Sequence, residues 1–265
     1  MIAEALARPK ASARDELRCR ALFDVGQLAF FMGRYPEAQR HLVESLAIAR
    51  ELDNKVRIAA ALQPLGMAYQ GQGMVEQALA TLEEALALAR EIGSKRDVGA
   101  ALTSLGSFQR MVGALDVAQR LYEESALMLA GVGDHFSRAL VVLNLAIISI
   151  LREDRQRART FLLEAIATSE SLVQQRLGLA TIEVCAGFAA ACGDYPRAAR
   201  LFGVAEAQNS STGLHRDPAD DAFLTPLMGK AREEMGPRYR AVEDQGRALA
   251  YAQAISEARA WLTAA

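Results

Sequence analysis

Residues 62–85 read LQPLGMAYQGQGMVEQALATLEEA, and the order of small and large residues in this stretch decides the fold. Leu65 and Gly66 stand together, a further glycine follows at Gly73, and Ala78, Leu82 and Ala85 come at steps of four and three. Steps of three and four keep side chains on one face of a helix. A glycine where that spacing breaks marks a helix stop and a tight turn. The stretch therefore predicts two helices joined by a turn at Gly73. Gly66 on the first lets it approach the second closely, and Ala78 fills the other side of the contact.

The pattern recurs forty residues to either side. Gly26, Gly66 and Gly106 are continued by Ala146 and Ala186, and directly before them stand Val25, Leu65, Leu105, Leu145 and Cys185. Twelve residues further on come Ala38, Ala78, Ala118, Ala158 and Ala198. Leu42, Leu82, Tyr122, Leu162 and Phe202 follow, then Ser45, Ala85, Ser125, Ala165 and Ala205. The turn position holds Gly33, Gly73, Gly113 and Gly193, with Glu153 as the one departure. A single hairpin of this kind cannot bury its apolar face, so the five copies must stack into a solenoid. First helices are expected near 15–32, 56–72, 96–112, 135–151 and 175–192. Second helices are expected near 35–52, 75–92, 115–131, 155–172 and 195–209. The period then fails: Ser210 to Pro218 reads as a polar loop, followed by helices near 219–235, 238–246 and 248–263 that cap the last apolar face.

Leu62, Leu65, Gly66 and Tyr69, with Ala78, Leu82 and Ala85 downstream, resemble the tetratricopeptide repeat, whose consensus runs W-x2-L-G-x2-Y and then a conserved alanine. The period exceeds the usual ~34 residues, and the excess lengthens the helices by about a turn and a half. HEAT-like repeats share the longer period but lack the small-residue signature. The resemblance implies an all-α, right-handed tetratricopeptide superhelix of five ~40-residue hairpins with C-terminal capping helices. Residues 15–209 form the repeats and 210–265 the loop and caps. Residues 1–14 fall in phase with the end of a second helix, through Ile2, Glu4 and Leu6 against Leu42, Glu44 and Leu46. They are expected to end a preceding repeat, within a longer array.

Two segments carry a narrower resemblance. Glu83–Gly93, EEALALAREIG, and Gly193–Glu206, GDYPRAARLFGVAE, are similar to the repeats of large LuxR-type and maltose-regulator-like bacterial regulators that depend on ATP. In that family a nucleotide-binding switch domain precedes the repeats, a helix-turn-helix domain can follow them, and the repeats sense an inducer or an inhibitory partner. The resemblance implies a non-catalytic, effector- or partner-sensing region of a transcriptional regulator. The alternative is a free-standing scaffold that assembles a protein complex. The chain itself holds no G-x-x-x-x-G-K-[ST] phosphate loop and no basic DNA-reading helix.

Composition narrows the function further. A net charge of −2 gives no basic field for nucleic acid or an anionic membrane. The longest apolar run, 139–151, is too short to span a bilayer. No basic head followed by an apolar run opens the chain, so no signal peptide is evident. Cys19, Cys185 and Cys192 cannot all pair, and the last two lie roughly 10 Å apart along one helix. Reduced thiols in the cytoplasm are the expectation. His41, His135 and His215 lack partners at metal-ligand spacing, so no metal or other cofactor is expected. Asp217, Asp220 and Asp221 beside His215 read as a solvated acidic loop capping the next helix. No nucleophile elbow occurs, and no catalytic residue is assigned.

What remains is the concave surface that the first helices of such a superhelix line. In register with the family, its ligand-facing positions are Arg20, Phe23, Gln27, Phe30 and Phe31, then Gln63, Met67 and Gln70, then Thr103, Ser107 and Arg110. The fourth and fifth repeats add Leu140, Leu143, Asn144, Ile147, Ile150 and Glu183. Amides and arginines suit a peptide backbone or a sugar, and Phe and Met supply apolar contact. The expected partner is a protein, a peptide or a small-molecule effector, with a second copy of the chain as a further candidate. The helix at 139–151 is apolar on nearly every side, which requires burial on every side. The C-terminal segment is expected to fold back over Leu140, Leu143, Ile147 and Ile150, using the stripe Tyr251, Ile255, Trp261 and Leu262.

Overall fold

The computed structural model describes residues 14–172 and 175–264, and they form helices and short turns throughout. The expected start of the chain as the end of an earlier helix lies outside the described residues, apart from Arg14, which pairs with Glu51 at 2.7 Å. Ten helices form the five hairpins: α1 (Glu16–Phe31) with α2 (Tyr35–Glu51), α3 (Lys55–Gly71) with α4 (Val75–Ile92), and α5 (Lys95–Met111) with α6 (Leu115–Ala130). The fourth pair is α7 (His135–Leu151) with α8 (Arg155–Ser171), and the fifth is α9 (Gln175–Ala191) with α10 (Tyr195–Thr212). Three more follow: α11 (Pro218–Met235), α12 (Arg238–Arg247) and α13 (Tyr251–Ala264).

The caps repeat with the same period as the core. Asn54, Ser94 and Asp134 stand forty residues apart, and each accepts a hydrogen bond from the amide three residues on, at 3.1, 3.3 and 3.0 Å. Such caps satisfy amides that a helix start leaves without a partner. Asp154 and Asp194 do the same for α8 and α10. Gly66 sits where a Cβ would come within 2.7 Å of the Leu82 side chain, so the crossing of α3 and α4 admits only hydrogen. Ala38, Ala78, Ala118, Ala158 and Ala198 are all fully buried, as the register requires. Between repeats, Arg50–Glu84 and Arg90–Glu124 form equivalent ion pairs one period apart, at 2.7 and 2.8 Å.

Each first helix touches the next, α1 to α3, α3 to α5, α5 to α7 and α7 to α9, and so they form the inner layer of a tetratricopeptide superhelix. The superhelix turns far enough to meet itself. The Arg176 guanidinium of the fifth repeat lies 5.6 Å from the ring centre of Phe31 in the first. The His215 amide donates to the Phe31 carbonyl at 2.7 Å.

The C-terminal segment does fold back over the apolar helix α7, but the covering helix is α11. Phe223, Leu224 and Met228 share one core with Leu143, Ile147 and Ile150. The stripe expected for this task belongs to α13, which packs against α8, α9 and α10 instead. There Trp261 meets Phe188 at 5.4 Å, with Arg197 over its other ring contact at 4.9 Å. The reason is geometric. α12 presses on α10 at two glycines, where a Cβ on Gly203 would stand 2.1 Å from the Glu243 carbonyl oxygen and one on Gly246 2.0 Å from that of Arg200. This crossing turns the chain outward before α13 begins. α10 also runs three residues past its expected end, to Thr212.

Candidate functional site

Self-closure leaves a chamber of about 550 Å³ inside the superhelix. Its walls come from the inner helices of all five repeats, from the end of α10 and from the returning segment. Phe30, Phe31 and Met67 line one side, and Thr103, Ser104 and Ser107 of α5 the next. α7 contributes Leu140, Leu143, Asn144 and Ile147, and α9 contributes Gln175, Arg176, Leu179, Ala180, Glu183 and Val184. Gln208 and Asn209 close it from α10, and His215 to Asp217, Asp220, Phe223 and Leu224 from the C-terminal side. A second hollow, about 260 Å³ beside His135, Glu164 and Ser171, is less than half as large.

Nine expected positions line this chamber when Thr103 and Ser107 are counted with Phe30, Phe31, Met67, Leu140, Leu143, Asn144 and Ile147, and Glu183 makes a tenth. The others have different surroundings. Arg20 is exposed, and Phe23 and Gln27 are half-buried away from the chamber wall. Gln63 donates to Ser104 Oγ at 2.8 Å, and Gln70, buried, to Met111 Sδ at 3.3 Å. Ile150 is buried in the α7–α9–α11 core. Arg110 is buried and serves as a clamp on the returning segment: Nη1 donates to the Ala219 carbonyl at 2.9 Å and Nη2 to Asp220. Each of these residues is therefore used within the chain, or lies aside, rather than open to the chamber.

The loop before α11 departs from the expected solvated acidic loop. Asp217 caps α11 as anticipated, its Oδ1 accepting from the Ala219 amide at 2.8 Å. Burial, followed by the neighbouring Asp220 carboxylate, pushes its own carboxyl up to about 7. Asp220 is held by Arg110 and Asp221 by Arg216, so the acidic run faces buried guanidiniums and not water. Arg216 is the hub: it meets Glu183 at 2.6 Å, Glu206 at 2.8 Å and Asp221 at 2.9 Å, and its guanidinium lies 5.5 Å from the Phe202 ring centre. Burial raises the Glu183 carboxyl, against the pull of Arg216. On the α7 wall, the Tyr122 hydroxyl donates to Asn144 Oδ1 at 3.0 Å and lies 3.0 Å from Ser107 Oγ, while Asn144 Nδ2 donates to the Leu140 carbonyl at 3.1 Å. Asn144 is thus fixed in orientation.

Sequence reasoning missed Arg176, Leu179, Gln208, Asn209 and Arg216. Leu179 sits four residues before Glu183 on the same helix face, and that spacing was the available signal. Arg216 follows the last repeat and carries no periodic mark. Among the described residues no group of three or more His, Cys, Asp or Glu side chains is placed to hold a metal ion. No helix of the described residues is long and apolar enough to cross a membrane. Cys19 and Cys185 are buried thiols, and burial pushes Cys185 up to about 12, so it is an inert core residue.

Comparison with known proteins agrees with this architecture. A tetratricopeptide-repeat family model matches residues 17–91. No curated protein matches the chain significantly. Among solved structures, a Rap protein complexed with Competence and Sporulation Factor is 14% identical, with a TM-score of 0.72 over 99% of this chain and 69% of that one. BtubC (BKLC) from P. vanneervenii is 20% identical, with a TM-score of 0.59 over 82% of this chain and 90% of that one. Kinesin light chain-like repeats from Podosopora anserina are 22% identical, with a TM-score of 0.54 over 74% and 96%. At these identities the likeness establishes the tetratricopeptide-type fold.

Proposed function

We propose that this chain is a non-catalytic sensing module that takes an effector in its central chamber, and that it serves as the repeat region of a bacterial transcriptional regulator. The chamber carries the reading. Its walls are drawn from all five repeats and from the returning segment, so an occupant touches every part of the superhelix and the helix that closes it. A ligand that favours one curvature of the array shifts the whole array toward it. At about 550 Å³ the chamber matches the size of sites for small organic ligands or a few residues of peptide, mostly apolar with a few placed polar groups. The regulator assignment rests on the resemblance of Glu83–Gly93 and Gly193–Glu206. The similar Rap protein, solved with Competence and Sporulation Factor, is an example of this fold holding another molecule.

The test is a melting-temperature screen of short peptides and small metabolites against the wild-type chain and Ala180→Trp. Ala180 lines the chamber and is half-buried, so an indole there fills the space with little disturbance of the core. Ligands of the chamber raise the wild-type melting temperature and leave the variant unmoved. Ligands that stabilise both chains equally would move the site to another surface and sink the chamber reading. For the regulator assignment, the full reading frame is expected to encode a nucleotide-binding switch domain ahead of these repeats; its absence would favour a free-standing scaffold.

A further inference from the structure

The charges around the chamber do not balance. Five carboxylates, Glu183, Glu206, Asp217, Asp220 and Asp221, gather at one end and meet the guanidiniums of Arg110 and Arg216, with Arg176 on the Phe31 ring nearby. Arg216 is already shared by three of them and Arg110 is committed to Asp220 and a carbonyl. Two carboxylates on the chamber wall keep an oxygen to spare. Glu183 receives Arg216 and Asn209 on Oε1, and Oε2 takes no hydrogen bond among the described residues. Asp217 accepts one backbone amide on Oδ1 and forms no ion pair among the described residues. Carboxylates facing a largely apolar space without a cation are costly, and the cost is removed by a cation that enters with the ligand.

A second observation points the same way. The aromatic faces of this region already hold cations of the chain itself: Arg176 on Phe31 and Arg216 on Phe202, at 5.6 and 5.5 Å. Aromatic faces beside carboxylates are the surroundings that bind ammonium and guanidinium groups. The opposite end of the chamber is apolar, with Met67, Leu140, Leu143 and Ile147.

Building on the reading that the chamber takes a ligand, we infer that this ligand is an organic cation, an ammonium or guanidinium group carried on an apolar body. The cation sits between Glu183 and Asp217, and the body lies against α7 and Phe30. An anion of the same shape meets unneutralised carboxylates and is excluded. Asp217, held near neutrality by burial and by Asp220, gives up its proton when the cation arrives.

The experiment is calorimetric titration of the full chain with three isosteres: 4-phenylbutylamine, 4-phenylbutanol and 4-phenylbutanoate. The amine is expected to bind about tenfold or more tightly than the alcohol, and the carboxylate more weakly than either. Glu183→Gln and Asp217→Asn each reduce the amine-to-alcohol ratio severalfold while the alcohol affinity stays unchanged. Asp217→Asn keeps an acceptor for the Ala219 amide, so it remains a usable variant if Glu183→Gln fails to fold. A phenylalanyl-arginine amide run in parallel separates the sources: tighter binding than the amine assigns a peptide, weaker binding a free amine. An amine-to-alcohol ratio near one, or a preference for the carboxylate, overturns the cation. If the alcohol still binds and Ala180→Trp abolishes it, the chamber reading survives that failure. If none of the three isosteres binds the wild-type chain, both readings fall.

Discussion

Glu153 occupies the turn position that glycine holds in the other repeats, and its backbone obeys the repeat rather than the residue. Its φ is +61°, beside +69°, +72°, +84° and +81° at Gly33, Gly73, Gly113 and Gly193. A side chain in this left-handed region costs roughly 1–2 kcal/mol, against which glycine loses more entropy on folding. The neighbouring turn bonds, Asp154 to the Ser149 carbonyl at 2.9 Å and Glu153 to that of Ile150 at 3.0 Å, outweigh the strain. Glu153→Gly is therefore expected to stabilise the chain by up to about 1 kcal/mol, read as a higher urea midpoint with an unchanged slope. A lower midpoint would mean that the Glu153 side chain makes a contribution larger than the strain. At this scale the sequence is highly legible. The buried alanines, the turn glycines and the caps at Asn54, Ser94 and Asp134 are each dictated by the backbone within a few residues of them.

Among the elements, α11 is the one whose stability depends on a titrating group. Its cap, Asp217, has a carboxyl raised from 3.8 to about 7 by burial and then by Asp220, with Asp221 adding to the same push and Arg110 opposing it. The native state keeps this proton where the unfolded chain has lost it. The contribution is therefore full below about pH 4 and is lost as the pH rises toward 7. Tyr35 also faces the site, and its hydroxyl is raised by burial and by Asp217 and Asp221, so it stays neutral across this range. Amide exchange across Pro218–Met235 is expected to quicken between about pH 5 and pH 8 beyond the intrinsic base catalysis, and Asp217→Asn to flatten that excess. The melting temperature of the variant relative to wild type should climb by several degrees over the same interval. Comparing the two chains cancels Glu51, Asp134 and Glu257, whose carboxyls are lowered and act in the opposite sense at more acid pH. A difference that does not vary with pH would place the proton elsewhere.

On the scale of the whole molecule, the returning segment finishes the core. Phe223, Leu224, Met228, Tyr239, Ile255 and Leu262 are all buried, and burying each such side chain stabilises by about 1.5–3 kcal/mol. Their sum is comparable with the entire stability of an ordinary domain. A chain ending at Thr212 also bares Leu143, Ile147 and Ile150 on the inner surface. It is expected to lose its sharp melt, to bind an apolar dye and to associate in sedimentation. A truncated chain that stayed monomeric and melted like the full one would show that α11 merely lies on a finished array.

The five hairpins, their boundaries to within a few residues and their packing order were all readable from the forty-residue period, because each depends on which side chains share a helix face or fill a crossing nearby. That α7 needed a cover also followed from its composition, apolar on every side. Which helix supplies the cover did not follow. α11 and α13 both carry apolar stripes, and the choice depends on how far the array has turned by its fifth repeat and on the glycine crossing of α10 with α12. The chamber is a consequence of that turn. Arg110 meets Asp220 across 110 residues of chain, and Arg176 reaches Phe31 from the fifth repeat to the first. Contacts so distant leave no period in the sequence, since the small rotation at each hairpin accumulates over the whole superhelix before the two ends come within reach.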